Sequence, residues 1–192
     1  MDTAEKQRRL MEAAVAVLQG ADGHTLKIVL LNKALFYLDL HAYVETGTTL
    51  TGATYIALEQ GPVVAKYDKR LIRGLADAGL AKQIVAAGVL EKPVVLTAPG
   101  IKFSFLNADN LQLAQELGSI FSKVTSTKAS VYSHDNPGWL AAWRASGRGK
   151  KPLPIDLRIA VQQLVDRDEW LTAPLTDDER AALGGTEGDE EW

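Results

Sequence analysis

The 192-residue chain contains no cysteine. That excludes a disulfide framework, a thiol nucleophile, an iron–sulfur cluster and any zinc site built on thiolates. Histidine is nearly as scarce. His24, His41 and His134 are the only three, and no two stand at the i, i+3 or i, i+4 spacing of a helical metal pair. The expectation is no metal and no cofactor. No apolar run approaches the roughly 18 residues of a membrane span, and no apolar leader opens the chain. A cytoplasmic protein without membrane contact is expected. The patterns Gly-x-Gly-x-x-Gly, Gly-x-x-x-x-Gly-Lys-Ser/Thr and Gly-x-Ser-x-Gly are all missing, which removes the dinucleotide, P-loop and nucleophile-elbow readings.

What is present is ordinary for a globular domain: 46% hydrophobic and 23% charged residues, in a chain long enough to bury a core unaided. The net charge of −3 is unevenly placed. Residues 177–192 hold seven acids against Arg180 alone, while residues 1–176 hold 20 basic and 17 acidic side chains. A weakly basic body with an acidic tail argues against nucleic acid as a partner, except for autoregulation. The tail itself reads as a solvated, disordered end.

Periodicity divides the chain into a first helix over 2–18, a second over 25–46 and an amphipathic third over 62–78. The second is apolar all round, as a buried central helix is, yet it carries Asn32, Lys33, Asp39 and His41. Each of these then needs a partner or water. Thr25 reads as its N-cap, Gly47 as its C-terminal stop and Pro62 as the first residue of the third helix. A strand is expected over 53–58. A hairpin is expected where Ala98-Pro-Gly100 separates Val94–Leu96 from Ile101–Leu106. Asn107 or Asp109 caps a fourth helix, helical turns follow over 127–132, and Pro137 starts a short helix with Trp139 and Trp143. Another helix spans 156–170, and Thr176 with Glu179 forms a capping box for a last one. The sum is an α+β fold, mainly α-helical, with a buried central helix and a small antiparallel β element.

The third helix collects Lys66, Lys69, Arg70 and Arg73 on the face opposite its apolar stripe. With Gln60 at the helix start, this is the candidate partner-binding surface, although such a face also serves simply as a solvated one. Ser133-His134-Asp135 is the nearest approach to a catalytic cluster. Neighbours in one chain diverge too far to form a triad, so a distant acid such as Asp39 would have to complete it.

Several motifs occur in a recognisable order. Lys33-Ala-Leu-Phe-Tyr-Leu-Asp-Leu-His41 is followed by Thr46-Gly-x-x-x-Thr-Gly-Ala-Thr-Tyr55 and by Gly61-Pro62-Val63. The spacing Tyr67…Leu71…Leu75…Gly79-Leu80 comes next, and later Ser133-His134-Asp135 with Pro137 and Trp139. Across about 25–145 this resembles the Panacea antitoxin domain, found in phage- and mobile-element-associated proteins. Leu38 departs from the family, which often has Ala before the Asp. The resemblance implies a non-enzymatic antitoxin that neutralises a cognate toxin, often a translation inhibitor, by direct protein–protein contact. It divides the chain into an N-terminal helix packed on the core (1–24), a Panacea-like domain (25–172) and a short helix with the acidic tail (173–192). It casts Lys33, Tyr37, Asp39, His41, Tyr55, Gly61, Pro62, Ser133, His134, Asp135 and Trp139 as scaffold, with His134 or Asp135 expected near Asp39 or Lys33. The acidic tail is a second candidate surface for a basic toxin. The competing readings are a DNA-binding regulator, a protease adaptor and a Ser/His hydrolase. Homo-oligomerisation stays open.

Overall fold

Residues 1–85, 92–98 and 100–164 are described by the computed structural model. Asp2 opens α1 (Thr3–Gly20) by accepting the Glu5 amide at 2.7 Å. One 3-10 turn later, β1 (Thr25–Lys27) leads directly into α2 (Ile28–Thr46). Thr25 is therefore a strand residue, not the cap. Lys27 precedes the helix and supplies no side-chain cap. Gly47, at φ +69°, ends α2 as expected.

A hairpin follows, β2 (Tyr55–Leu58) against β3 (Gly61–Val64), with Ala57 opposite Pro62. This corrects the reading of Pro62 as a helix start. A proline tolerates a strand that pairs on one side only, where its missing N–H costs no ladder bond. The expected third helix starts later than Pro62 and is continuous once begun, with right-handed helical backbone at Tyr67, Arg73 and Gly74. After Lys66, held at φ +58°, come a π-helical turn (Asp68–Arg73) and the four-residue α3 (Gly74–Asp77).

The sheet holds β4 (Ala81–Gln83) and β5 (Pro93–Leu96) in the antiparallel order β1-β5-β4. The hairpin expected around Ala98-Pro-Gly100 is not formed. Val94–Leu96 pairs instead with β4 and with Thr25–Lys27, some 70 residues upstream.

Asn107 caps α4 (Ala108–Ser122), Thr125 caps α5 (Ser126–His134) and Asn136 caps α6 (Pro137–Ala145), each by accepting a backbone N–H. α7 (Leu157–Ala160) follows the loop after α6. The rest of the helix expected over 156–170 and the Thr176–Glu179 capping box extend outside the described residues.

The fold is α+β and mainly helical. α2 is its axis, packed by α1, α4, β3 and α5. Twelve of its residues, from Leu30 to Ala42, are buried. α1 and α4 touch backbone to backbone: a Cβ on Gly118 would fall on the carbonyl of Val17. No helix among the described residues is long and apolar enough to cross a membrane.

Candidate functional site

The polar residues that interrupt α2 each fasten it to something. Asn32 accepts the Val64 amide at 2.9 Å and donates to the Ile28 carbonyl at 2.9 Å, tying α2 to β3. Asp39 is fully buried. It accepts the Thr51 amide at 2.8 Å, the Thr51 hydroxyl, and the Tyr55 hydroxyl at 2.8 Å. Tyr55 also reaches the Leu35 carbonyl at 2.8 Å. Burial pushes the Asp39 carboxyl up to about 6 against the pull of these donors. Burial and the Asp39 charge lift the Tyr55 phenol well above its ordinary range.

Lys33, 1% exposed, donates to the Gln60 carbonyl at the tip of the β2–β3 hairpin. Desolvation lowers its pKa to about 8. The same carbonyl accepts the Ser130 hydroxyl at 3.1 Å. Gly61 is needed here on two counts. Its φ is +107°, and a Cβ on it would lie 2.5 Å from Ser133 Oγ and 3.0 Å from Lys33 Nζ. The motif residues Lys33, Gly61, Pro62 and Ser133 thus meet behind the hairpin tip.

Above that tip runs a ladder of rings. His134 stacks on Trp139 at 4.1 Å, and Trp139 on Trp143 at 5.3 Å. The Trp139 indole donates to the Leu58 carbonyl at 3.1 Å. His134 Nε2 is buried with no hydrogen-bond partner among the described residues. Burial, reinforced by the Lys33 charge and opposed by the Glu59 backbone, keeps the imidazole below its ordinary pKa. Asp135 is exposed at the C-terminal end of α5 and bonds to neither Lys33 nor Asp39.

Tyr37 belongs to a different network. Its hydroxyl donates to Gln163 at 3.2 Å, and Asn136 donates to the same oxygen at 2.9 Å. Asn136 also binds the Ala160 carbonyl at 2.9 Å and the Trp139 amide at 3.1 Å. His41 is half-buried in the wall of a separate groove. Thr51, Asn136 and Gln163 were not singled out from the sequence. Asn136 had a signal, because an Asn before Pro is a ready helix cap. Thr51 and Gln163 had none.

Ser133, His134 and Asp39 do not form a triad. Ser133 is buried and donates to the Ser130 carbonyl at 3.0 Å, not to His134. Asp39 is engaged elsewhere. Among the described residues no group of His, Asp and Glu can hold a metal ion.

The outward face of the hairpin tip is open. Glu59 and Gln60 are exposed and line two adjoining cavities of about 450 and 750 Å³. Tyr67 lines both, Trp143 and Arg148 the smaller one, and Asp68 and Ser130 the larger. Lys66, Lys69 and Arg73 are exposed and Arg70 is half-buried. Arg73 is paired with Asp68 at 2.9 Å. Lys66 and Lys69 have no acidic partner among the described residues. Lys69, Arg70 and Arg73 sit on the π-helical turn that runs on into α3, and Lys66 stands just before it. The acidic tail, the second candidate surface, lies outside the described residues.

No curated protein and no solved structure matches the chain. The stretch that contains Lys33, Asp39, Tyr55, the hairpin tip and the His134–Trp139 stack does match a family model. Residues 31–140, more than half of the chain, fit the family described as "Antitoxin SocA-like, Panacea domain", and the chain belongs to it.

Proposed function

We propose that this protein neutralises a cognate toxin by direct, stoichiometric contact, and that the toxin docks on the face around the β2–β3 hairpin tip. Membership of an antitoxin family carries the first half of this reading. The second half rests on the contrast between the two sides of the tip. Behind it, Lys33, Ser130 and Ser133 pack under Gln60 and Gly61. In front, Gln60 and two cavities face solvent beside Lys66 and Lys69. A stable protein–protein interface buries roughly 800 Å² on each partner and concentrates its energy in pockets that take aromatic or Arg anchors. Concavities lined by Tyr67, Trp143 and Arg148 beside a cationic rim suit an acidic-rimmed partner with one or two such anchors. A translation-inhibiting toxin is the target class we favour.

The test begins with co-expression of the neighbouring reading frame. Growth rescue together with a co-purifying complex supports the reading, and rescue without any complex removes it. Inhibition that saturates at equal amounts of the two proteins marks a binder, whereas rescue at substoichiometric amounts marks an enzyme. Alanine at Lys66, Lys69, Arg70 and Arg73 together should weaken the complex and flatten its salt dependence. An unchanged affinity and salt slope would move the interface elsewhere.

A further inference from the structure

A groove of about 420 Å³ opens between α2, α4 and α5, away from the hairpin tip. Tyr37 and His41 of α2, Leu117 and Phe121 of α4 and Tyr132 of α5 form its walls, with Leu164 at one edge. Its floor is preformed: the Tyr37 ring lies 6.1 Å from Phe121 and 5.3 Å from Tyr132. On the rim, Ile120 is 56% exposed. A contiguous apolar concavity of this kind marks a place where something binds.

Two observations say what binds there. The first is attachment. Leu164 is both a wall of the groove and the last described residue before 165–192. The chain continues as Val165-Asp-Arg-Asp-Glu-Trp-Leu-Thr-Ala-Pro-Leu175, whose large apolar residues after Val165 are Trp170, Leu171 and Leu175. Trp170 lies six residue steps beyond Leu164. Those steps reach about 9 Å as helix and about 20 Å extended, so Trp170 can return over a groove that begins at Leu164. The second is charge. Residues 1–164 carry 19 Lys and Arg against 14 Asp and Glu, whereas residues 165–192 carry two against ten. Lys128 lines the groove and Lys123 ends the adjoining α4, while Asp166, Asp168 and Glu169 precede Trp170.

We propose that Trp170, Leu171 and Leu175 occupy this groove within the same chain, with the acidic residues before them facing Lys123 and Lys128. The docking does not depend on the toxin reading. Burying the three side chains removes apolar surface from both partners, and tethering raises their local concentration into the millimolar range. A partner that used the groove would first have to displace them.

The absence of native cysteines makes a clean test. In the full chain, the pair Ile120→Cys and Leu171→Cys is compared with Lys82→Cys and Leu171→Cys, Lys82 being on β4. Under mild oxidation the groove pair should close an intramolecular disulfide at least about tenfold faster than the control pair, because only it meets the short Cα separation a disulfide needs. Adding Trp170→Ala and Leu175→Ala should bring it down to the control rate. Equal rates for the two pairs overturn the proposal. So does a groove pair that links two chains, which would assign the groove to a second copy.

Discussion

Asp39 and Lys33 are both buried and ionisable, they sit less than two turns apart on α2, and they are satisfied in opposite ways. Asp39 collects three donors from Thr51 and Tyr55. Lys33 has the Gln60 carbonyl as its acceptor and no carboxylate beside it among the described residues. The segment after α2 is therefore held by a saturated anchor, and the hairpin tip by a sparse one. A buried charge without a full set of partners costs stability rather than adding it. The difference suggests that the loop facing the proposed partner is the more weakly pinned of the two, which suits a surface that adjusts on binding.

The largest effect should come from Asp39→Ala, which leaves the Thr51 amide and hydroxyl without their acceptor and the Tyr55 hydroxyl with the Leu35 carbonyl alone. Each orphaned group costs about 1–3 kcal/mol, so chemical denaturation should show a loss of at least about 2 kcal/mol. Asp39→Asn, which keeps an acceptor oxygen, should lose less. A loss below about 1 kcal/mol for the alanine variant would erase the contrast between the two sites.

The pH profile sharpens it. A carboxyl at about 6 in the folded protein, against an ordinary 3.8, means that the folded state holds the proton more tightly. Stability should then fall as pH rises from about 4 to about 6, by an amount on the order of 2–3 kcal/mol. An amine lowered from 10.5 to about 8 means that the folded state releases its proton first. Stability should recover as pH rises from about 8 to about 10.5. Unfolding midpoints across this range test both limbs. Asp39→Asn should flatten only the acidic limb and Lys33→Met only the alkaline one.

At neutral pH, Lys33→Met should change stability by no more than about 1 kcal/mol, because a buried charge replaced by an apolar chain of similar volume is often neutral or better. The Gln60 carbonyl keeps its bond from Ser130. A loss as large as that of Asp39→Ala would show that the amine is an anchor after all. The smallest shift is expected for Lys66→Gly. Lys66 sits at φ +58°, a conformation that glycine adopts without a Cβ penalty, so thermal melting should show a gain of about 0.5 kcal/mol. If Lys66 also touches the toxin, affinity will drop while stability rises.

Local rules carried much of this structure. The all-round apolar character of residues 26–44 announced the central helix, and its four polar interruptions announced that partners must exist. Asn107 and Pro137 marked helix starts that the fold uses. The failures occurred where distant chain decides. Thr25 and Val94–Leu96 each look like something local, a cap and half a hairpin, but they pair with each other across about 70 residues. Pro62 satisfies the rule for a first helical residue equally well in a one-sided strand. The candidate face was legible as a set of cations. Where the helix under it begins was not, because the left-handed backbone at Lys66 is a conformation that nothing in Lys66 itself requires. The partner of Lys33 is a backbone carbonyl, which leaves no trace in residue identity.

The contact between α1 and α4 also sets a schedule. α1 precedes the family-matched stretch, yet the backbone it rests on at Gly118 lies inside it. A ribosome adding about 5–20 residues per second presents α1 several seconds before α4 exists to receive it. During that interval α1 can rest only on α2 and the elements that follow it, and the part of its buried face that α4 covers, within Leu10 to Leu18, waits for the next hundred residues.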